Sequence, residues 1–283
     1  TSPLMQTINC SFWKTVGIRL HLCPILYDRM GNPVTYRNGW KMTWERGWLL
    51  KSVSLPPCRI VYDYNADGKR VKTQVYQSEQ LEKEIEYFWN GDQIVAIADN
   101  GKLLQFTYDQ DGNPFSISQG SNTYYYLYNL QGDVIGLIDS EGTQVVSYQY
   151  DTWGVPVSTT DTTSMKIGTL NPFRYRGYCY DEATGFYYLG SRYYDPVVGR
   201  FVNADDVDVL GVEKDLHDKN LYAYCDNNPI TRTDLSGEFW HLAIGAVVGA
   251  ASQYAANVVL KLGEGNSLKE ALLVKKEEIP GLM

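Results

Sequence analysis

Acidic residues and arginines that could take part in catalysis are concentrated in one tyrosine-rich stretch, Tyr178–Asp206. It contains five acidic residues and two arginines among six tyrosines and three glycines. Carboxylates can transfer protons, and an arginine can hold a carboxylate or a carbonyl oxygen in place. The hexapeptide YDEATG at 180–185 is echoed by YDPVVG at 194–199. Composition alone leaves open whether the stretch forms a core, a binding surface or an active site.

Cysteine and histidine give no sign of a metal site or a disulfide framework. The chain has five cysteines and three histidines, which are Cys10, Cys23, Cys58, Cys179, Cys225, His21, His217 and His241. None of the cysteines forms a CxxC pair, and the histidines lie far apart with no metal-ligand spacing. We therefore expect free thiols, no bound metal and no cofactor.

The overall composition is that of a globular protein rich in short strands. The 283 residues carry a net charge of −8, which argues against a general nucleic-acid binder because such proteins need a basic face. Tyrosine is the commonest aromatic, with 23 residues, and there are 25 glycines. Tyrosine favours strands and glycine favours tight turns.

Residues 1–26 differ from the rest of the chain. They lack the basic start and unbroken apolar run of a signal peptide, and they begin without Met. We expect an atypical N-terminal segment here, either because the chain is a fragment of a longer protein or because this segment is foreign to it.

From Tyr27 onward the chain repeats a pattern of an aromatic residue, then Asp or Asn, then glycine. The turn glycines are spaced 23, 21, 20 and 22 residues apart, and they are Gly68, Gly91, Gly112, Gly132 and Gly154. The Asp or Asn can bond its own backbone, and the glycine accepts a positive φ. Alternating segments on either side predict strands. Each unit is therefore predicted to be a β-hairpin of about 20 residues in a repeat architecture, with an ordinary β-sandwich or barrel as the alternative.

The repeats resemble the tyrosine–aspartate (YD) repeats of Rhs proteins and teneurins. The match becomes more specific at NPFRYRGYCYDEATGFYYLGSRYYDPVVGRFVNADD and NLYAYCDNNPITRTDLSG, which are similar to the Rhs repeat-associated core domain. The resemblance implies a mainly β fold in which hairpins at 27–170 form part of a curved β-shell. A core-domain plug follows at 171–237, and a variable, helical toxin region begins in 238–283.

Members of this family cut themselves just after the core, in a reaction similar to that of aspartyl proteases. Such chemistry needs one ionised and one protonated carboxylate close together. By resemblance, Asp205 and Asp234 form this pair and Arg192 orients it. The cut would fall between Glu238 and Phe239.

Three positions depart from the family pattern. Asp206 and Leu235 stand where proline is usual, and Glu238 stands where many members have leucine. Proline fixes its own φ and restricts the residue before it, so its loss can loosen both carboxylates. Enzymatic activity is therefore left open, and the most that we expect is one cut per chain by an autoprotease.

Other polar residues of the core domain have simpler expected roles. Asp181, Asp195 and Asn227 are expected to form turns. Three further arginines could replace Arg192 or bind carbonyls and carboxylates within the plug, and they are Arg174, Arg176 and Arg200. The aromatic residues are expected to pack between strands, with a carbohydrate-stacking surface as the alternative.

After Gly237 the pattern changes. Residues 239–260 have no turn signals and many small residues, and they predict a helix. A buried or membrane-active entry segment of a toxin is the preferred interpretation, with a transmembrane anchor and a plain hydrophobic helix as alternatives. A second helix is predicted to start at Asn266 or Ser267.

Three functions are compatible with these features. The first is the C-terminal part of a secreted bacterial toxin shell that holds and releases its own toxin segment, in a system with an immunity protein and secretion machinery. The second is a cell-surface binding or adhesion protein that presents ligands such as carbohydrates, and the third is an inactive fragment. We prefer the first because Asp205 and Asp234 come directly before the change of composition.

Overall fold

A computed structural model describes residues 24–204 and 220–234, together with the backbone of Trp240 and His241. Within these residues, fourteen strands pair in chain order in one antiparallel sheet, called here the wall. Its strands are β1 (Leu26–Tyr27), β2 (Pro33–Thr35), β3 (Lys41–Glu45), β4 (Leu49–Leu55), β5 (Cys58–Tyr64), β6 (Arg70–Gln77), β7 (Gln80–Asn90), β8 (Gln93–Asp99), β9 (Lys102–Tyr108), β10 (Pro114–Gln119), β11 (Asn122–Tyr128), β12 (Val134–Ile138), β13 (Gln144–Tyr150) and β14 (Pro156–Asp161). This architecture confirms the predicted row of hairpins.

The turns of the wall form as the repeat pattern predicts. Between β9 and β10, Oδ1 of Asp109 accepts the backbone N–H of Asp111 at 2.9 Å and of Asn113 at 2.8 Å. Gly112 completes the turn with a φ of 85°. An aspartate or asparagine side chain bonds its own turn in the same way at Asp28, Asn65, Asn129, Asp139 and Asp151.

The tyrosine before four of the wall turns ties one repeat to the previous one, and these tyrosines are Tyr64, Tyr108, Tyr128 and Tyr150. The Tyr108 hydroxyl donates to the Ile94 carbonyl at 2.7 Å, and the Tyr128 hydroxyl donates to the Pro114 carbonyl at 2.5 Å. Each acceptor lies just after the turn glycine of the preceding repeat. Tyrosine fits this position because its ring packs in the sheet while its hydroxyl satisfies a backbone carbonyl.

A smaller sheet follows the wall. The short helix α1 (Ile167–Leu170) leads into β15 (Cys179–Asp181), β16 (Phe186–Tyr188), β17 (Tyr193–Asp195) and β18 (Arg200–Phe201), which pair antiparallel in chain order. Two further strands, β19 (Thr233–Asp234) and β20 (Trp240–His241), pair with each other. Residues 171–204 and 220–234 are called the plug.

Aromatic side chains of the plug pack against the wall as core residues. Phe186 is fully buried, with its ring 5.6 Å from that of Trp40 and 6.1 Å from that of Tyr36. Phe173 meets Phe106 edge to face at 5.0 Å. The tyrosine-rich stretch therefore contributes to the hydrophobic core that the plug and the wall share.

The last turn of the wall is a docking point for the plug. Tyr175, Tyr194 and Tyr187 donate their hydroxyls to three consecutive carbonyls at residues 152–154, at 3.0, 2.8 and 2.7 Å. Gly154 has a φ of 92°, and a Cβ added there would lie 2.6 Å from the Tyr175 ring. Glycine is required here by both the backbone conformation and the close contact.

The region after Gly237 differs from its prediction. Trp240 and His241 form β20, so the helix predicted from residue 239 does not include them. Aromatic residues favour strands, and pairing with β19 satisfies their backbone. The rest of the predicted tail lies outside the described residues, as do residues 1–23. No helix in the described part of the chain is long and apolar enough to cross a membrane.

Candidate active site

Arg192 lies directly before β17, and its guanidinium is buried in the plug. The guanidinium carbon lies 3.7 Å from the ring centre of Phe201, which shields it from water. One terminal nitrogen donates to the Leu221 carbonyl at 3.1 Å, and the other lies 3.5 Å from Oδ2 of Asp234. The structure thus brings together two of the residues that the sequence assigns to the site.

Asp234 ends the short strand β19 and is almost fully buried. Its side chain forms the ion pair with Arg192, and its backbone carbonyl accepts a hydrogen bond from the Tyr178 hydroxyl. Tyr178 also contacts the hydroxyls of Tyr224 at 3.1 Å and Thr233 at 3.3 Å. Asp234 is thus a buried carboxylate with a cationic partner and a fixed backbone. Catalysis needs groups that are held in place in this way.

The surroundings of Asp234 disfavour further negative charge. Burial raises the pKa of Tyr178, and Asp234 adds to this effect. Burial likewise raises the pKa of the Cys225 thiol to about 12, with a further contribution from Asp234. The neutral form of the Cys225 thiol is therefore favoured at physiological pH.

The segment that follows Asp234 includes β20, which pairs with Asp234's own strand, β19. In the pairing of β19 with β20, Thr233 faces His241 and Asp234 faces Trp240. Only five residues, 235–239, connect the two strands, and they include Leu235 and both residues of the predicted cleavage site. Glu238 and Phe239 themselves lie outside the described residues.

The second predicted carboxylate also falls outside the described part of the chain. The description stops at Ala204 and resumes at Asn220, so Asp205 and Asp206 are not covered. The roles of Asp205, Glu238 and Phe239 therefore stay predictions.

The arginines proposed as alternates to Arg192 have other partners. Arg174 lies 4.2 Å from the ring of Tyr148, and Arg176 donates to the Pro229 carbonyl at 2.5 Å. Arg200 is exposed on β18. Among the described arginines of the plug, Arg192 is thus the one with an ion pair to Asp234.

Sequence reasoning missed two arginines of the wall that bind the plug. Nε of Arg37 lies 2.5 Å from Oδ2 of Asp195, and Arg70 lies 3.3 Å from Oδ2 of Asp181. Asp181 and Asp195 do form the predicted turns, through their Oδ1 atoms. The echo of YDEATG in YDPVVG was the available signal, because it marks two equivalent turns within the predicted plug.

The described residues contain no cluster of three or more His, Cys, Asp or Glu side chains that could hold a metal ion. Cys58, Cys179 and Cys225 are buried.

Comparisons with known proteins agree with this fold. The family model described as teneurin YD-shell matches residues 46–230, which cover the wall from β4 onward and the plug as far as Ile230. The chain belongs to the YD-shell family.

Two relatives illustrate its connection with Rhs-type proteins. The chain is 35% identical over 257 residues to a tRNA nuclease WapA of Bacillus subtilis (strain 168), a match that covers 88% of this chain and 10% of that protein. It is 26% identical over 279 residues to a probable deoxyribonuclease RhsB of Dickeya dadantii (strain 3937), covering 90% of this chain and 18% of that protein. The chain thus spans a tenth to a fifth of the length of these two relatives.

Solved structures share the fold. A crystal structure described as TcdB2-TccC3-TEV superposes with a TM-score of 0.60 at 24% identity, covering 75% of this chain and 11% of that one. The predicted resemblance to Rhs and YD-shell proteins is confirmed by these matches.

Proposed function

We propose that this chain is the closing end of a YD shell and that its plug cuts the polypeptide once, between Glu238 and Phe239. The pairing of Asp234 with Trp240 carries the proposal. Opposed Cα atoms in an antiparallel pair lie about 4.5–5.5 Å apart. The second residue after the predicted bond is therefore beside the carboxylate-bearing residue that Arg192 contacts.

The reaction is hydrolysis of one peptide bond. Water adds to the carbonyl carbon of Glu238, the C–N bond breaks, and the nitrogen of Phe239 leaves as an amine. Asp234, whose charge Arg192 balances, is assigned the ionised role and takes the proton of the attacking water. Asp205 is assigned the protonated role and gives its proton to the leaving nitrogen.

The segment freed by the cut begins at Phe239. We infer that it is the start of the toxin component in the whole protein, since the WapA and RhsB relatives are named as nucleases. Secretion or display at the cell surface, an immunity protein, secretion machinery and carbohydrate binding are proposals for that whole protein.

The test is to produce the full chain with a C-terminal tag and follow it by intact mass spectrometry. We expect a released fragment whose first residue is Phe239. Asp234→Asn and Asp205→Asn should each abolish release, because each removes one of the two carboxylates. Arg192→Gln should slow release by at least tenfold, since it removes the group that holds Asp234.

The matched control is Asp226→Asn. Asp226 is an exposed acid of the same part of the plug, paired with Arg232 at the surface, and its amide variant should cut as fast as the unchanged chain. An intact wild-type chain after prolonged incubation would exclude the protease activity while leaving the shell assignment unaffected.

Adhesion is the second candidate, because the matching family model bears the name of teneurins. Glycan binding by an uncut chain would favour it over the release of a toxin segment.

A further inference from the structure

Two buried ion pairs connect the wall to the plug at a distance from the Arg192–Asp234 contact. Asp195 is fully buried and receives Nε of Arg37, while Arg70 is fully buried and contacts Asp181. Each aspartate divides its oxygens in the same way, with Oδ1 on its own turn and Oδ2 on the wall. These contacts are called the Arg37 latch and the Arg70 latch.

Each latch has supporting contacts. The Arg37 guanidinium also lies 4.5 Å from the ring centre of Trp40, and it reaches the Thr184 carbonyl at 3.4 Å. The Arg70 guanidinium is enclosed by the rings of Tyr62, Tyr87, Tyr188 and Tyr193, at 4.6–5.7 Å. Both guanidinium groups are thus held in one orientation by aromatic rings as well as by their carboxylates.

The wall holds every residue of β17. The Tyr193 hydroxyl lies 2.9 Å from that of Tyr64 and 3.5 Å from Arg70, and Tyr194 donates to a carbonyl of the last wall turn. Asp195 is held by the Arg37 latch. Arg192 is the residue immediately before this strand, so these four contacts constrain the position of its backbone.

We propose that Arg37 and Arg70 are positioning residues for the Arg192–Asp234 site, which is complete only when the wall has closed over the plug. The inference rests on the proposed self-cleavage and adds its regulation. A displacement of about 1 Å at a catalytic group can cost about a hundredfold in rate. Cleavage therefore requires that the wall has packed against the plug. A plug that has not docked leaves the segment from Phe239 onward attached.

Buried ion pairs suit this role better than a role in stability alone. Removing one partner leaves an unpaired buried charge, whereas replacing the whole pair by apolar groups is often neutral for stability. The Asp195 carboxylate is costly to bury, and burial raises its pKa while Arg37 acts in the opposite direction. The pairs define one orientation of the plug strand relative to the wall.

The test compares cleavage rates of full-chain variants at the Arg37 latch. Arg37→Gln removes the cation, and Asp195→Asn keeps the Oδ1 acceptor of the turn but removes the charge. We expect each single variant to cut at least tenfold more slowly, and the double variant to be no slower than the slower single one. Arg37→Lys should recover part of the rate. The control is Arg59→Gln, which alters a wall arginine paired at the surface with Glu79 at 2.8 Å and should leave the rate unchanged.

A second readout distinguishes this inference from the proposed function. Hydrogen exchange of the peptide spanning 186–201 should increase in Arg37→Gln and stay unchanged in Arg59→Gln. If the wild-type chain is never cut, the proposed function is wrong, and the exchange data still decide whether the wall holds β17. Wild-type exchange in Arg37→Gln, or a wild-type cutting rate in that variant, would overturn the inference. Equal loss of thermal stability and rate in Arg37→Gln and Arg37→Lys would also contradict it, since a positioning role predicts selective rescue by lysine.

Discussion

The turns of the wall and the turns of the plug use the same aspartate geometry in opposite environments. In the wall, Asp109 bonds its own turn and is exposed to solvent. In the plug, Asp195 bonds its own turn in the same way but is fully buried, and its second oxygen receives Arg37. The comparison shows that one local motif closes a hairpin in the first case and attaches two parts of the molecule in the second.

The difference arises from what covers the second carboxylate oxygen. In the wall, Oδ2 of Asp109 lies at the exposed surface and accepts the side-chain amide of Asn113 at 3.2 Å, whereas a buried charge needs a charged partner. The wall supplies that partner through Arg37 and Arg70, which are far from the plug in sequence. Disruption of plug contacts should therefore have larger effects than equivalent changes on the exposed side of the wall.

The largest effect is expected from Arg70→Met. This change leaves Asp181 buried beside tyrosines without its cation, and the free energy of unfolding should fall by about 3–5 kcal/mol. Arg59→Met removes an exposed pair and should cost at most about 1 kcal/mol. Urea unfolding of both variants measures the difference, and equal losses would show that burial does not set the cost.

High pH should weaken the plug because its tyrosines are buried in neutral form. Burial raises the pKa of Tyr175 and of Tyr188 to about 12. For such groups the stabilising contribution is complete below the unfolded pKa of about 10 and is lost as the pH rises towards 12, at about 1.4 kcal/mol per pKa unit and residue.

This titration can be followed by phenolate absorbance together with the unfolding midpoint. We expect the unfolding midpoint to fall between pH 10 and pH 12. The phenolate absorbance of the buried plug tyrosines should appear at higher pH than that of exposed tyrosines. A midpoint that stays constant over this interval would contradict the burial of these tyrosines.

Two turn glycines offer a smaller and closely matched comparison. A Cβ at Gly154 would meet the Tyr175 ring at 2.6 Å, whereas a Cβ at Gly132 would meet nothing within 4 Å. Both residues have a positive φ, so each alanine variant carries a backbone cost of about 1–2 kcal/mol. Gly154→Ala should cost about 1–3 kcal/mol more because of the clash. Similar thermal midpoints for the two variants would mean that the plug can move away from the last wall turn without loss of stability.

Much of the wall could be predicted from the sequence because its contacts join residues that are close together in the chain. The aromatic residue, the Asp or Asn and the glycine recur at fixed offsets, and each specifies a contact within its own repeat or with the neighbouring one. The tyrosine hydroxyl of Tyr108 reaches a carbonyl only 14 positions earlier. Patterns of this range can be read without knowledge of the tertiary fold.

The latches could not be predicted in the same way. Arg37 and Asp195 are 158 positions apart, and the local sequence of Arg37 resembles that of an ordinary turn. The assignment of Arg192 and Asp234 depended on a family resemblance, which the structure supplements with a contact. The predicted helix from residue 239 was wrong at Trp240 and His241 because small apolar residues further along suggested a single helix, whereas the partner strand β19 governs these two positions.

The smallest effect is expected from Asp109→Ala. This change removes three hydrogen bonds from a solvent-exposed turn, where water can replace them, and it should cost about 1 kcal/mol in unfolding free energy. Asp109→Asn keeps an acceptor at the same position and should cost less. Chemical denaturation of both variants gives the values, with Asp195→Asn as the plug counterpart. A loss at Asp109 as large as that at Asp195 would mean that the turn bond itself, and not the buried second oxygen, makes these aspartates important, and the distinction between wall and plug turns would no longer hold.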